Sequence, residues 1–124
     1  MLSAIVAWQQ WEVSQTMSDL ASMECIPCRG GVPPLAGEEL ESYHRRLGGG
    51  WEVVDGHHLE KKFRFDDFAQ ALDFTNRIGA LAEEVNHHPD LKLGWGYVHV
   101  SLWTHKIDGL TEADFVWAAK ADRL

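Results

Sequence analysis

The sequence predicts an α+β domain in two layers, with a four-stranded antiparallel sheet covered by three helices in the order α-β-β-α-β-β-α. Three features predict this fold class. Two segments alternate between apolar and polar residues, as half-buried strands do. A long segment between them repeats apolar residues at helical spacing. Asp-Gly pairs at 55–56 and 108–109 mark turns.

The chain before the central segment predicts a helix and a β-hairpin. Apolar residues at helical spacing over 38–47 indicate the helix, and a run of glycines ends it. A short apolar strand over 51–54 turns at Asp55-Gly56 into an alternating strand over 58–65. The predicted buried face of that second strand contains one charged residue, Lys61.

The central segment predicts a long helix over 67–86. Its apolar stripe continues for about five turns, and Asp66 stands where a side chain can cap the first turn. We expect the helix to end at Asn86-His87-His88-Pro89, because proline disfavours helical backbone at the residue before it.

The remaining chain predicts a second hairpin and a last helix. Alternation indicates strands over 91–94 and 97–105. Thr111 with Asp114 three residues later resembles a capping box, which predicts a final helix over 112–122.

Composition argues against several classes of function. The 124 residues include 11 basic and 19 acidic side chains, for a formal net charge of −8. Such a balance is unfavourable for nucleic acid, whose phosphates are bound by Lys and Arg. No apolar run has the length that spans a bilayer. These features favour a cytoplasmic protein that handles a small, roughly neutral molecule.

The N-terminal region carries two further expectations. Residues 1–16 lack the basic start of a secretory signal, and we expect a disordered extension or a misassigned start there, followed by a single domain over 17–124. Cys25 and Cys28 lie in a Gly- and Pro-rich stretch. Two reduced structural thiols are favoured there over a metal or redox role.

Three of the histidines stand at the ends of predicted elements. His87 and His88 end the central helix, and His105 ends the last strand. Glu83 lies one helical turn before His87, where it can orient that imidazole.

Three interpretations of these histidines stay open on residue type alone. They are surface or helix-capping side chains, ligands of a metal, or acid–base catalysts. Neighbouring side chains diverge by about 100° on a helix, which is awkward for chelating one ion. Imidazole, with an ordinary pKa near ~6.5, both donates and accepts protons at neutral pH. Spacing and composition do not choose between the metal site and the acid–base site.

The spacing of these residues resembles the signature of the pterin-4a-carbinolamine dehydratases. The matching residues are Glu83, His87-His88-Pro89, Trp95, His105 and Asp114. The likeness extends over residues 17–124, and the family's fold agrees with the one that the patterns predict. Trp95 stands where the family accepts an aromatic residue, and we expect it in the core.

The resemblance implies a hydro-lyase acting on 4a-hydroxytetrahydrobiopterin. Loss of water would give the quinonoid dihydropterin and so recycle the pterin of aromatic amino-acid hydroxylases. A base takes the proton on N5 while an acid protonates the departing 4a-hydroxyl. The implied chemistry uses histidines, with no metal and no cofactor of the protein's own.

The resemblance also implies a role for each candidate residue. His87 and His105 would be the acid–base pair, with the acid and the base unassigned. His88 would bind and orient the pterin, and Glu83 would tune the cluster. The implied pocket consists of His87, His88, Pro89, Thr104, His105 and Lys106. For Asp114, helix capping is favoured over a catalytic role. Surface or structural roles alone are expected for His44, His57, His58 and His99.

Other functions on the same scaffold stay open. Relatives of this family serve as a dimerisation cofactor of a transcription factor or as assembly chaperones of a carbon-fixing enzyme. Retention of all three histidines favours the enzyme. The same chemistry on another pterin, such as a molybdopterin-pathway intermediate, is a further alternative. The resemblance implies a small-molecule pterin and copies of the chain as partners, in a homodimer or homotetramer, and edge strands invite such pairing. Neither nucleic acid nor a membrane is expected.

Overall fold

The computed structural model describes residues 19–24 and 32–124. The expectations for residues 1–16 and for Cys25 and Cys28 lie outside the described residues. In chain order the elements are α1 (Asp19–Ser22), α2 (Gly37–Leu47), β1 (Glu52–Val54), β2 (His58–Arg64), α3 (Phe68–Val85), β3 (Asp90–Gly94), β4 (Tyr97–Leu102) and α4 (Glu112–Ala121). The predicted α+β class and the order from α2 to α4 are confirmed. The described residues also contain α1, a fourth helix that the patterns did not predict, whose Leu20 is buried near α4.

The strands form one antiparallel sheet in the order β1-β2-β4-β3. The central pairing of β2 with β4 runs from Leu59 opposite Leu102 to Arg64 opposite Tyr97. Side chains alternate between two faces along each strand. On one face Leu59, Val98, Val100 and Leu102 are fully buried in the core with residues of α3 and α4. The other face, here called the open face, carries Glu60, Lys62, His99 and other residues of which none is buried.

Lys61 lies on the buried face, where a charge is unexpected. Its Nζ donates to Oδ1 of Asp122 at 2.7 Å, just beyond the end of α4. The same ammonium lies 4.5 Å from the ring centroid of Phe63. The charge is therefore paired, and the aliphatic stem of Lys61 can pack among apolar neighbours.

Helix α3 begins one residue later than predicted. Asp67, rather than the expected Asp66, is the cap, because its side chain accepts the backbone N–H of Gln70 at 2.8 Å. At the other end Asn86 takes a left-handed conformation, with φ of 53°, and ends the helix. Because of this left-handed residue, the helix does not continue into His87 and His88.

Two predictions for the second hairpin are wrong. Strand β4 ends at Leu102, and not at His105, because a turn closed by the pairing of Thr104 with Gly109 follows it. Trp95 is 72% exposed between β3 and β4, and so is not a core residue. Within residues 19–24 and 32–124, no helix is both long and apolar enough to cross a membrane.

Candidate active site

The segment after α3 and the segment after β4 border one cavity. Both segments lie at the same end of the sheet. One leads into β3 and the other follows β4, and these two strands are antiparallel. The cavity has a volume of about 200 Å³. Its lining residues are Asn86, His87, His88, Trp103, Thr104, His105 and Lys106. Of the residues proposed from sequence, Pro89 and Glu83 are not in this lining.

A larger cavity of about 440 Å³ lies along α3. It is bordered by Phe65, Phe74, Arg77 and their neighbours, and no histidine contributes to it. The smaller cavity is the better candidate for chemistry, since three imidazoles converge on it and size alone supplies no acid or base.

His87 is anchored by a buried carboxylate. Its Nε2 lies 2.7 Å from Oδ1 of Asp114, and the two side chains are 11% and 0% exposed. The other oxygen of Asp114 accepts from Oγ1 of Thr104 at 2.8 Å and from the backbone N–H of Thr111 at 2.9 Å. An ionised carboxylate only accepts hydrogen bonds, so Nε2 of His87 is the donor, and in the neutral imidazole Nδ1 carries the lone pair.

Asp114 reaches this position because it is the third residue of α4. Its bond to Thr111 is the carboxylate half of the predicted capping box, which is confirmed. The same carboxylate also holds His87, a contact beyond the predicted cap. No sequence pattern reveals this contact, because 27 residues separate the two partners.

His88, and not His87, is the partner of Glu83. The carboxylate of Glu83 accepts from Nε2 of His88, and the two side chains are 79% and 52% exposed. The prediction assumed that helix continues to His87. Because α3 ends at Val85 and Asn86 is left-handed, His87 does not lie one helical turn above Glu83. The pair is solvated and contributes little to stability.

His105 is exposed and borders the cavity from the segment after β4. Among the described residues, none forms a hydrogen bond with its imidazole. Its ring centroid lies 4.5 Å from that of Trp103, at an interplanar angle of 60°. Both of its ring nitrogens are therefore available to a bound molecule.

Trp103 lines the cavity but is not among the pocket residues predicted from the sequence. The alternation of β4 placed it on the same face as His105, and that was the available signal. Thr104 lines the cavity too, but its hydroxyl is directed into the protein toward Asp114. In residues 19–24 and 32–124, no three His, Cys, Asp or Glu side chains are arranged to hold a metal ion.

Comparison with known proteins places these features in a family. A family model described as pterin 4 alpha carbinolamine dehydratase matches residues 33–124. A Rubrobacter xylanophilus protein provisionally named pterin-4-alpha-carbinolamine dehydratase is 66% identical over 108 residues, covering 87% of this chain and 100% of that protein. An Alkaliphilus metalliredigens protein of the same provisional name is 52% identical over 107 residues, covering 86% of this chain and 96% of that protein.

Two solved structures are similar as well. A transcriptional coactivator/pterin dehydratase from Brucella melitensis is 34% identical with a TM-score of 0.68, covering 73% of this chain and 96% of that one. A pterin dehydratase-like protein described as a RuBisCO assembly factor in the alpha-carboxysome is 29% identical with a TM-score of 0.54, covering 62% of this chain and 90% of that one.

Proposed function

The chain belongs to the pterin-4a-carbinolamine dehydratase family, and from that premise we propose that it removes water from 4a-hydroxytetrahydrobiopterin. The product would be the quinonoid dihydropterin, returned to the hydroxylases that use tetrahydropterin. The observation that carries the proposal is the convergence of His87, His88 and His105 on one cavity.

The reaction needs two proton transfers. The proton on N5 leaves to a base, the electron pair of that bond forms the N5–C4a double bond, and the C4a–O bond breaks. An acid supplies the proton with which the hydroxyl departs as water. Each well-placed acid or base typically contributes about 10²–10⁴ in rate.

His87 is suited to be the base. Its Nε2 hydrogen is directed at Asp114, so Nδ1 offers the lone pair that can take the N5 proton. The buried carboxylate is also placed to stabilise the imidazolium that results, as the aspartate does in a catalytic triad. His105 would then be the acid, and solvent would exchange protons with both rings after each turnover.

His88 and the loop after β4 would bind the pterin. His88 is exposed at the edge of the cavity and held by Glu83, which leaves Nδ1 to meet a polar atom of the substrate. Thr104 and Lys106 of that loop also border the cavity. Pro89 would contribute by keeping His88, the residue before it, out of helical backbone. Homodimer or homotetramer formation and a single domain over 17–124 stay predictions.

Stopped-flow measurement of 4a-hydroxytetrahydropterin decay tests the proposal. We expect the wild type to accelerate appearance of the quinonoid product over the rate in buffer. A wild-type rate equal to the buffer rate would remove the dehydratase assignment.

Binding of a protein partner is a second candidate function. The likeness to structures described as a transcriptional coactivator and an assembly factor favours it. Complementation of a deletion strain separates the two functions. Rescue by wild type but not by His105→Gln is expected for the enzyme, whereas equal rescue by both would favour partner binding.

A further inference from the structure

Trp103 stands between the candidate active site and a second group of histidines. It is the first residue after β4 and lines the cavity. Its ring centroid lies 4.5 Å from that of His105. It also lies 5.4 Å from that of His57 and 5.9 Å from that of His58. The indole is therefore in aromatic contact with a cavity histidine and with two histidines outside the cavity.

His57 and His58 form a closed hydrogen-bonded pair behind this indole. Their Nδ1 atoms are 3.0 Å apart. Nε2 of His57 lies 2.8 Å from Oδ1 of Asp108, and Nε2 of His58 lies 3.2 Å from Oε1 of Glu60. One Nδ1 must carry a hydrogen and the other must not, since two donors or two lone pairs would repel. All four ring nitrogens then have partners, which restrains both rings.

The cavity otherwise presents mainly polar groups and imidazoles. Among its lining residues, Trp103 has the largest planar apolar surface. A pterin is a flat, bicyclic, electron-rich ring, and such a ring gains affinity from contact with an indole that is already held in place.

We propose that Trp103 is a substrate-contacting residue, the aromatic wall against which the pterin ring packs, and that the His57–His58 pair positions its indole. This inference rests on the proposed function and extends it by a residue and by a supporting pair. The polar edge of the substrate would be bound by the histidines, and its ring face by Trp103.

Calorimetric titration with 7,8-dihydrobiopterin, a pterin without the 4a-hydroxyl, tests whether Trp103 contacts the pterin ring. We expect Trp103→Ala to raise the Kd by about 10-fold or more, the usual cost of losing an aromatic stacking partner. Trp103→Phe keeps a ring and should stay within about threefold of wild type. Trp95→Ala is the matched control, because it removes an indole that is exposed at the opposite end of β4. Its Kd should equal that of wild type.

A double-mutant cycle tests the supporting pair. His57→Ala should raise the Kd for dihydrobiopterin in the wild-type background. The same substitution should have no further effect in Trp103→Ala, because a positioning residue acts only through the residue that it positions. Equal effects in both backgrounds would overturn the positioning role.

The outcomes separate this inference from the proposed function. If the wild type dehydrates its substrate and Trp103→Ala binds dihydrobiopterin as tightly as wild type, Trp103 is not the wall and the dehydratase stands. If the wild type neither binds nor dehydrates a pterin, the proposed function is wrong, and so is the role of Trp103 that rests on it. Thermal unfolding of each variant identifies loss of fold, and Trp103→Leu replaces any alanine variant that does not fold. A leucine variant with wild-type affinity would also overturn the wall.

Discussion

The chain has two groups of histidines that differ in how their ring nitrogens are used. The cavity cluster consists of His87, His88 and His105, and the open-face cluster of His57, His58 and His99. In the open-face cluster, His57 and His58 are each hydrogen-bonded through both nitrogens. In the cavity cluster, His87 and His88 are each bonded through Nε2 alone, and no described residue bonds the ring of His105.

This difference separates imidazoles that can exchange a proton with a substrate from imidazoles that only hold neighbouring side chains in place. A ring whose nitrogens are both engaged inside the protein has no atom with which to move a proton of a substrate. A ring with one nitrogen anchored and one unused is oriented and still reactive, which is the arrangement of a general base. Counting histidines would not distinguish the clusters. Following each nitrogen separates His57 and His58 from His87 and His88, while His105 differs from His99 in that it lines the cavity.

The largest effect is expected from a substitution in the cavity cluster. His105→Gln should lower kcat by about 10²–10⁴, because the proposed acid for the leaving hydroxyl is lost. The matched control is His99→Gln on the open face, which should leave kcat within about twofold of wild type, as surface substitutions usually do. Steady-state kinetics on both variants checks the contrast. Equal losses in the two variants would remove the distinction between the clusters.

A second prediction contrasts the two carboxylates that hold the cavity histidines. Asp114→Asn should lower the free energy of unfolding by about 3 kcal/mol, since buried donors lose their charged acceptor and face an amide NH2 group that cannot accept. It should also lower kcat, because His87 loses its orienting partner. Glu83→Gln, at a solvated pair, should change stability by less than about 0.5 kcal/mol. Urea unfolding measures both values, and a larger loss in Glu83→Gln would contradict the assignment of the anchor.

A third prediction concerns an ion pair that belongs to neither cluster. Lys61 and Asp122 are 19% and 22% exposed, between the burial of the Asp114 pair and the exposure of the Glu83 pair. Lys61→Ala should therefore cost about 1–2 kcal/mol of unfolding free energy, an intermediate effect. Denaturant titration beside Asp114→Asn and Glu83→Gln checks the order. A cost as large as that of Asp114→Asn would show that burial does not set the ranking.

The smallest effect is expected at Tyr43, whose partner is also a carboxylate. Glu112 accepts its phenolic hydrogen, and this bond, together with burial, raises the pKa of Tyr43 above its usual 10.0. The folded state thus favours the neutral phenol. Its stabilising contribution is fully present below the unfolded pKa and is lost as pH rises through the higher folded pKa.

Comparison of wild type with Tyr43→Phe isolates that contribution. The difference in their unfolding free energies should be constant below about pH 9 and should shrink above about pH 10. A difference that grows with pH in that range would contradict the direction of the pKa shift.

Much of the fold was predictable from local rules. The bounds of α3 differ from the prediction by one residue at each end, because an apolar stripe, a capping carboxylate and a following proline are all local signals. The two hairpins followed from alternation and from turn residues, whereas the central pairing of β2 with β4 was not predicted. The end of β4 was not predictable, because alternation continues through Trp103 to His105 while the backbone already turns at Thr104.

The residues of the site were predictable in part, but their contacts with one another were not. The resemblance to a family named the three histidines, and they do border one cavity. Their partners were not predictable. Glu83 bonds His88 because of a left-handed residue at 86, and His87 meets Asp114 only once the first turn of α4 lies close to the segment after α3. Contacts between residues distant in sequence depend on tertiary packing, which periodicity does not encode.

A crystal structure of the protein with bound 7,8-dihydrobiopterin tests the central claim most directly. We predict that the pterin occupies the cavity between the segment after α3 and the segment after β4. Its N5–C4a edge should lie within hydrogen-bond distance of Nδ1 of His87 and of the His105 imidazole. A pterin bound instead in the larger cavity along α3, or on the open face away from His87 and His105, would contradict the account.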